Sequence, residues 1–157
     1  MPDKSNPRLF HVVHRLHQAL FRAGDQMLGE ALGISTTQSA VLMYLKGKDG
    51  AAMGELAKAV GLKMTSMSGL VDRMEAKGLL RRVRSETDRR SFAIKLTSEG
   101  KGIIKTAEPM IAKNNAALLA AIGTEMTASQ FAEACENLIR AARSGADTNQ
   151  TEFQKVS

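Results

Sequence analysis

The stretch from Met53 to Leu96, MGELAKAVGLKMTSMSGLVDRMEAKGLLRRVRSETDRRSFAIKL, constrains the fold more than any other part of the chain. Its first eight residues, Met53 to Val60, form a short helical pattern with Leu56, Ala59 and Val60 on one side. Gly61 then permits a tight turn in which a residue with a Cβ would be strained. A second helix follows, with Met67, Leu70, Val71 and Met74 at i, i+3, i+4 and i+7, the amphipathic template filled completely. Its other face carries Thr65, Ser66, Gly69, Asp72 and Arg73, and Gly78 stops it as a glycine just past a helix end does.

Two strands follow this second helix. Leu80 to Arg84 and Ser91 to Leu96 read as a hairpin, with Phe92, Ile94 and Leu96 alternating with smaller or charged residues at the period of a half-buried strand. The tip between them, Ser85 to Arg90, is too polar for a core. Helix, turn, helix and hairpin in this order make a winged helix-turn-helix. Residues 63–96 hold nine Lys/Arg against four acids, which accounts for five of the chain's net charge of +6. Basic charge gathered on a helix and a hairpin is the footprint of phosphate contact, and a helix with a small, hydroxylated face fits a major groove. Double-stranded DNA is therefore the expected partner; the bland alternative is a solvated basic face.

The run GLVDRMEAKGLLRRVRSETDRRSFAIKLTSEG resembles the signature of MarR-type transcriptional regulators. That family pairs a D-R-L-E-x-x-G-L-x-x-R segment with a D-x-R wing and an L-T-x-x-G ending, matched here by Asp72 to Arg82, Asp88 to Arg90 and Leu96 to Gly100. The resemblance is specific over Leu56–Gly100 and looser, in the right order, over residues 8–143. It implies a dimeric winged-helix repressor whose recognition helices occupy major grooves and whose wings enter the flanking minor grooves. By that resemblance Asp88 orients Arg90 in the minor groove, where a narrow groove concentrates negative potential. Arg89 is then a phosphate contact, and Arg84 belongs to the same basic hairpin. On the helix, Ser66 and Ser68 can donate to phosphates or reach a base edge, and Thr65 can set its methyl against thymine. Arg73 is read as a phosphate contact, and Lys63 as either a phosphate contact or a solvated side chain. Many relatives carry a basic residue where this chain has Gly69, so direct base reading is expected to be sparser.

The flanks supply the rest of the architecture. Asn6 and Pro7 suit the N-cap and first turn of a helix running to Leu32, ended by Gly33. It carries two apolar seams: Leu9, Val13, Leu16, Leu20 and Met27 on one side, and Phe10, Phe21 and Leu28 on the other, with His14 and His17 between. A helix apolar on two sides needs two partners, of which one is expected to be a second copy of the chain. Ser35 and Gln38 form a capping box for a helix through Lys46, with Val41, Leu42 and Leu45 inward and residues 47–51 as a connection. Thr97 caps a long helix in which Pro109 is expected to cause a kink or a break, and Gly123 ends it. Thr127 and Gln130 make a second capping box, before a helix with the stripe Phe131, Ala134, Cys135, Leu138 and Ala142; residues from Gly145 onward are expected to be disordered. The expected fold class is mainly α with a small β-hairpin wing. It is one domain over 1–157, with residues 8–33 and 98–143 as dimerisation helices and 35–96 as the DNA-binding part.

Composition narrows the function classes. A sequence pI near 9.7 suits nucleic acid or an anionic surface. No 18-residue apolar run and no apolar leader are present, and the single cysteine makes no internal disulfide, so a cytoplasmic protein with no membrane partner is expected. No phosphate-cradling glycine loop, G-x-S-x-G, H-E-x-x-H or C-x-x-C occurs, and neither an enzyme nor a cofactor is expected. His11, His14 and His17 drift by about 60° per step around a helix, and no cysteine or acidic cluster completes a tetrahedral set; they read as interface or crevice histidines, not metal ligands. Cys135 on an apolar stripe reads as a small buried hydrophobe, with thiol redox sensing as the rival.

The leading function is thus a sequence-specific, homodimeric repressor on an inverted-repeat operator. The resemblance adds release by a small ligand, with aromatic or phenolic acids typical of the family, in a crevice between dimer helices and winged helix. His11, His14, Arg15 and Tyr44 are the candidate effector contacts. The rival class is a nucleoid-type protein binding DNA with little sequence preference and no effector pocket.

Overall fold

A computed structural model describes the backbone over residues 8–48, 50–84, 92–121 and 126–154, and the side chains as far as residue 144. Nine elements follow in order: α1 (Leu9–Leu32), α2 (Thr36–Gly47), β1 (Ala51–Ala52), α3 (Met53–Val60), α4 (Met64–Ala76), β2 (Leu80–Arg84), β3 (Phe92–Leu96), α5 (Ser98–Ala121) and α6 (Ala128–Gln154). The chain divides into two compact units, residues 1–108 and 109–157, with the division inside α5 at Pro109.

In the first unit the start of α2 is held by reciprocal capping. The Gln38 N–H donates to Ser35 Oγ at 3.1 Å, and the Ser35 N–H donates to Gln38 Oε1 at 3.0 Å. The end of α1 is tied to the same turn. Gly33 adopts φ 64°, and the Thr36 N–H donates to Asp25 Oδ1 at 2.7 Å. Behind these caps α2 buries Val41, Leu42 and Leu45 against the winged helix, whose α4 buries Met67, Leu70, Val71 and Met74. Gly61 (φ 74°) and Gly78 (φ 72°) close α3 and α4 in the left-handed region, where a Cβ would be strained.

The sheet has the order β1-β3-β2, all antiparallel. Leu80 faces Leu96 and Arg84 faces Phe92, so the hairpin runs as expected; Ser91 and the tip, residues 85–90, lie outside the described residues. Three details differ from the sequence reading. Ala51 and Ala52 pair with Ile94 and Ala93 as a third strand where a plain connection was expected, because two alanines show no alternation to read. Helix α3 buries Leu56 and Ala57 and leaves Ala59, expected on the apolar side, exposed. Phe92 is 51% exposed, while Ile94 and Leu96 are buried: the wing outruns the core at its far end.

The hairpin returns into α5 through the segment Leu96-Thr97-Ser98-Glu99-Gly100. Thr97 Oγ1 donates to the Gly78 carbonyl at 2.6 Å and accepts from the Gly100 N–H at 3.0 Å, so one hydroxyl caps α5 and holds the end of α4. A Cβ on Gly100 would lie 2.0 Å from the Leu79 carbonyl oxygen, so only glycine lets α5 start this close. The L-T-x-x-G pattern is therefore a packing device. Helix α5 continues through Pro109, so of the expected kink or break the break does not occur. The proline removes one hydrogen bond, at the carbonyl of Lys105, and both residues are exposed, so solvent can satisfy that carbonyl.

In the second unit the Thr127–Gln130 box opens α6 as expected, with bonds of 2.8 and 3.2 Å. The helix runs to Gln154, past the expected onset of disorder at Gly145, because extending a formed helix adds one hydrogen bond for each residue fixed. Residues 122–125, and with them the expected end at Gly123, lie outside the described residues, as do Asn6 and Pro7.

Candidate nucleic-acid interface

The amphipathic pattern of α4 decides what its other face can do. With Met67, Leu70, Val71 and Met74 inward, Thr65, Ser66, Ser68, Asp72 and Arg73 are exposed, and Lys63 stands exposed at the N-cap. Hydroxyls and a terminal cation on the outer face of a helix are the groups that donate to phosphates and base edges. Met64, the first residue of α4, is 53% exposed beside Thr65 and went unnoticed in the sequence because it adjoins an apolar stripe to which it does not belong. It adds an apolar contact at the same helix end. At Gly69 a Cβ would stand 3.5 Å from the Arg73 guanidinium, an ordinary contact distance, so the local packing does not require glycine there.

Not every cation counted in the sequence faces solvent freely. Arg82 on β2 donates to Asp72 Oδ1 and Glu75 Oε2, both at 2.5 Å, and its own N–H donates to Glu75 Oε1 at 2.8 Å. The Asp72 carboxylate raises the Arg82 guanidinium above its ordinary range; burial opposes this, and Glu75 adds to the rise. Arg82 thus fastens the root of the wing to α4, and its charge is matched within the fold. Lys77 donates to the Gly33 carbonyl at 2.7 Å and closes the end of α1. Lys63, Arg73, Arg81 and Arg84 are exposed with no ion pair among the described residues. The expected wing contacts Asp88, Arg89 and Arg90 lie outside the described residues.

Beside this face, α3 is anchored by Glu55, whose carboxylate accepts from the Ala52 N–H at 2.9 Å and from Lys48 at 2.5 Å. The Lys48 contact, then the Ala52 N–H, lowers the Glu55 carboxyl below its ordinary value, and Glu55 raises the Lys48 ammonium.

The candidate effector residues are less gathered. His11, His14 and Arg15 are exposed on α1, and Tyr44 is half-buried on α2. Arg15 lines an open hollow of about 520 Å³ along α1 with Val12, Leu16, Gln18, Ala19 and Arg22; His11, His14 and Tyr44 are not part of its lining. His17 packs on Phe21 with ring centroids 4.2 Å apart. Cys135 is half-buried, more accessible than the sequence reading had it, because the described residues of its own unit cover the α6 stripe only in part. Among the described residues no helix is long and apolar enough to cross a membrane.

Residues 32–91 match the model of the MarR family. A Bacillus subtilis HTH-type transcriptional regulator, YfiV, is 34% identical over 82 residues, 52% of this chain and 51% of that protein, so the match spans about half the length of that relative. The structure of the PcaV transcriptional regulator from Streptomyces coelicolor is 28% identical and superposes with a TM-score of 0.65 over 90% of this chain and 98% of that one. PcaV in complex with its natural ligand gives 25% and 0.72, over 92% and 98%. The M. tuberculosis regulator MosR, solved in complex with DNA, shares the fold at 24% identity and a TM-score of 0.73, over 88% and 98%. The helix-turn-helix and hairpin agree with these likenesses, and residues 32–91 of this chain are similar to the MarR family of transcriptional regulators.

Proposed function

We propose that this chain is a homodimeric, sequence-specific repressor that binds an inverted-repeat operator through α4 and the wing and is released by a small acid. The observation that carries the reading is the division of labour on α4. One face is wholly buried, and the other presents Thr65, Ser66, Ser68 and Arg73, with Lys63, Arg81 and Arg84 alongside as unpaired cations. Each side chain keeps the role its chemistry suits: hydroxyls to phosphate or base edge, Arg73 to phosphate, and Asp88 orienting Arg90 in the minor groove with Arg89 on phosphate.

Exposed apolar side chains on α1 support a second copy as partner. Phe10 is 92% exposed, and Leu9, Val12, Val13, Leu16 and Phe21 are exposed with it. Apolar side chains gathered on one helix favour a partner that removes them from water. Two α4 helices about 34–36 Å apart would then read successive major grooves. An acid beside α1 and α2, contacted by Arg15, His11, His14 and Tyr44, would shift that separation by binding one spacing better than the other. PcaV, with its natural ligand bound, makes such control reasonable for this fold.

Competition binding tests the reading. A specific operator should win over bulk DNA by about 10³ or more. Affinity within a few-fold of bulk DNA would replace the repressor with a nucleoid-type protein. Arg90→Ala should weaken operators with A·T-rich flanks most, and Asp88→Ala should weaken them in part although it removes a negative charge. Tighter binding by Asp88→Ala at two salt concentrations would refute the orienting role.

A further inference from the structure

We infer that Met64 is a specificity-determining residue whose thioether side chain, with the Thr65 methyl beside it, selects thymine by its 5-methyl group in the major groove. This role rests on the operator binding proposed above and gives it a chemistry of discrimination. Base edges are reached from the N-terminal end of a recognition helix. Over residues 64–71 the exposed side chains are Met64, Thr65, Ser66 and Ser68, and Gly69 adds none. None of them is an amide, a guanidinium or a carboxylate, the groups whose hydrogen bonds tell one base from another. Hydroxyls both donate and accept, so Ser66 and Ser68 suit any base or a phosphate. Lys63 at the N-cap offers a bare ammonium, a point charge that suits phosphate. Asp72 is held by Arg82, and Arg73 stands in the last turn of α4, away from the reading end.

What remains at that end is apolar. Met64 is the first residue of α4 and is 53% exposed. Its sulfur lies 4.0 Å from where a Cβ on Gly54 would stand, so the thioether sits between the starts of α3 and α4. The apolar group that base edges present in the major groove is the thymine 5-methyl. A flexible, polarisable thioether can follow that methyl without a fixed geometry, and contact between the two excludes water from both. Loss of one such methyl from the contact weakens binding about fourfold. Sequence is then read on α4 by apolar contact, with the hydroxyls setting register on the backbone.

Deoxyuridine removes that methyl and keeps the base pair. A duplex is selected with the full chain from a pool of random sequence, then remade with deoxyuridine for one thymine at a time. At a thymine in each half-site the affinity should fall about fourfold for the methyl lost. Exchange of that T·A pair for C·G should weaken binding, and 5-methylcytosine in place of the cytosine should recover part of the loss. Met64→Ala should lower affinity and abolish the deoxyuridine effect at that position, with an unchanged melting temperature because Met64 is exposed. Met64→Leu should retain the effect, since it restores an apolar contact. The role of Met64 is overturned if deoxyuridine is without effect at every thymine. It is also overturned if Met64→Ala keeps each deoxyuridine effect of the parent, which would leave the methyls to Thr65 or to groove shape. Enrichment of a sequence without these effects removes Met64 as a reader and leaves the operator reading standing. A pool in which no sequence enriches overturns both.

Discussion

Helices α4 and α6 carry the same kind of apolar stripe and meet opposite fates. In α4, Met67, Leu70, Val71 and Met74 are all 6% exposed or less. In α6, Phe131 and Cys135 are half-buried, Ala134 and Ala142 are exposed, and Leu138 is 50% exposed. Periodicity states that a helix needs an apolar partner; it does not say whether that partner lies in the same chain. For α4 the partner is its own unit, with α2, α3 and the sheet around it. For α6, as for the N-terminal part of α1, the described residues of its own unit leave much of the stripe exposed. The contrast separates a part whose stability is internal from parts that, under the dimer proposed above, would be buried by a second copy.

The largest effect that sharpens this contrast is Met74→Ala. Removing a fully buried Met should lower unfolding stability by about 2–5 kcal/mol, independent of protein concentration. Leu138→Asp should instead act on assembly: sedimentation of the full chain should fall from twice toward once the 16.9 kDa chain mass at micromolar concentration. An unchanged mass would remove the α6 stripe from the interface.

Next in size is Gly100→Ala. Its methyl meets the Leu79 carbonyl, so either α5 or the end of α4 must shift, at a loss of about 1–3 kcal/mol in thermal unfolding. A neutral result would show that the Thr97 cap and this close approach are not needed to seat α5.

A smaller pair of effects separates free from matched cations on the interface. Arg73→Ala should reduce the salt slope of DNA binding by about 1, because a phosphate contact is lost. Arg82→Met should weaken binding with an unchanged slope, because Arg82 is occupied by Asp72 and Glu75, and should lower stability by about 1 kcal/mol, a value kept small by partial exposure. Equal slopes for the two variants would erase the distinction.

The smallest effect depends on pH. The folded Glu55 carboxyl lies below its ordinary value, so its contribution to stability is present above the unfolded value, near about 4.3, and is lost as pH falls toward the folded one. Lys48 is the mirror case: its contribution is present below its unfolded value and fades as pH rises through the raised folded one. Glu55→Gln should therefore lower stability slightly at neutral pH, with the difference from the parent shrinking as pH falls from 5 to 3 in urea melts, about the range of that titration. A loss in acid as large as the loss at neutral pH would contradict the assignment.

Much of the winged helix was legible because its signals are local. The stripe on α4, the glycines at 61 and 78, the two capping boxes and Thr97 at the start of α5 are set by side chains within a turn of where they act. The unread details depend on neighbours far along the chain. β1 exists because Ile94 and Ala93 offer it an edge. Ala57 is buried and Ala59 is not because packing against α2, α4 and the sheet together sets which side of α3 is covered. Arg82 looks like any other basic residue until folding sets it against Asp72 and Glu75.

The sequence by itself determined the order of the helices and of the hairpin, the caps of α2, α5 and α6, the glycine stops of α1, α3 and α4, and the buried face of α4. These follow from backbone sterics, capping chemistry and the periods of apolar residues, all of short range. Only the tertiary structure decided which cations remain free, why Gly100 must be glycine, and that Met64 stands clear of the core at the head of α4. Those facts depend on distances between residues tens of positions apart, which packing sets and no local pattern encodes.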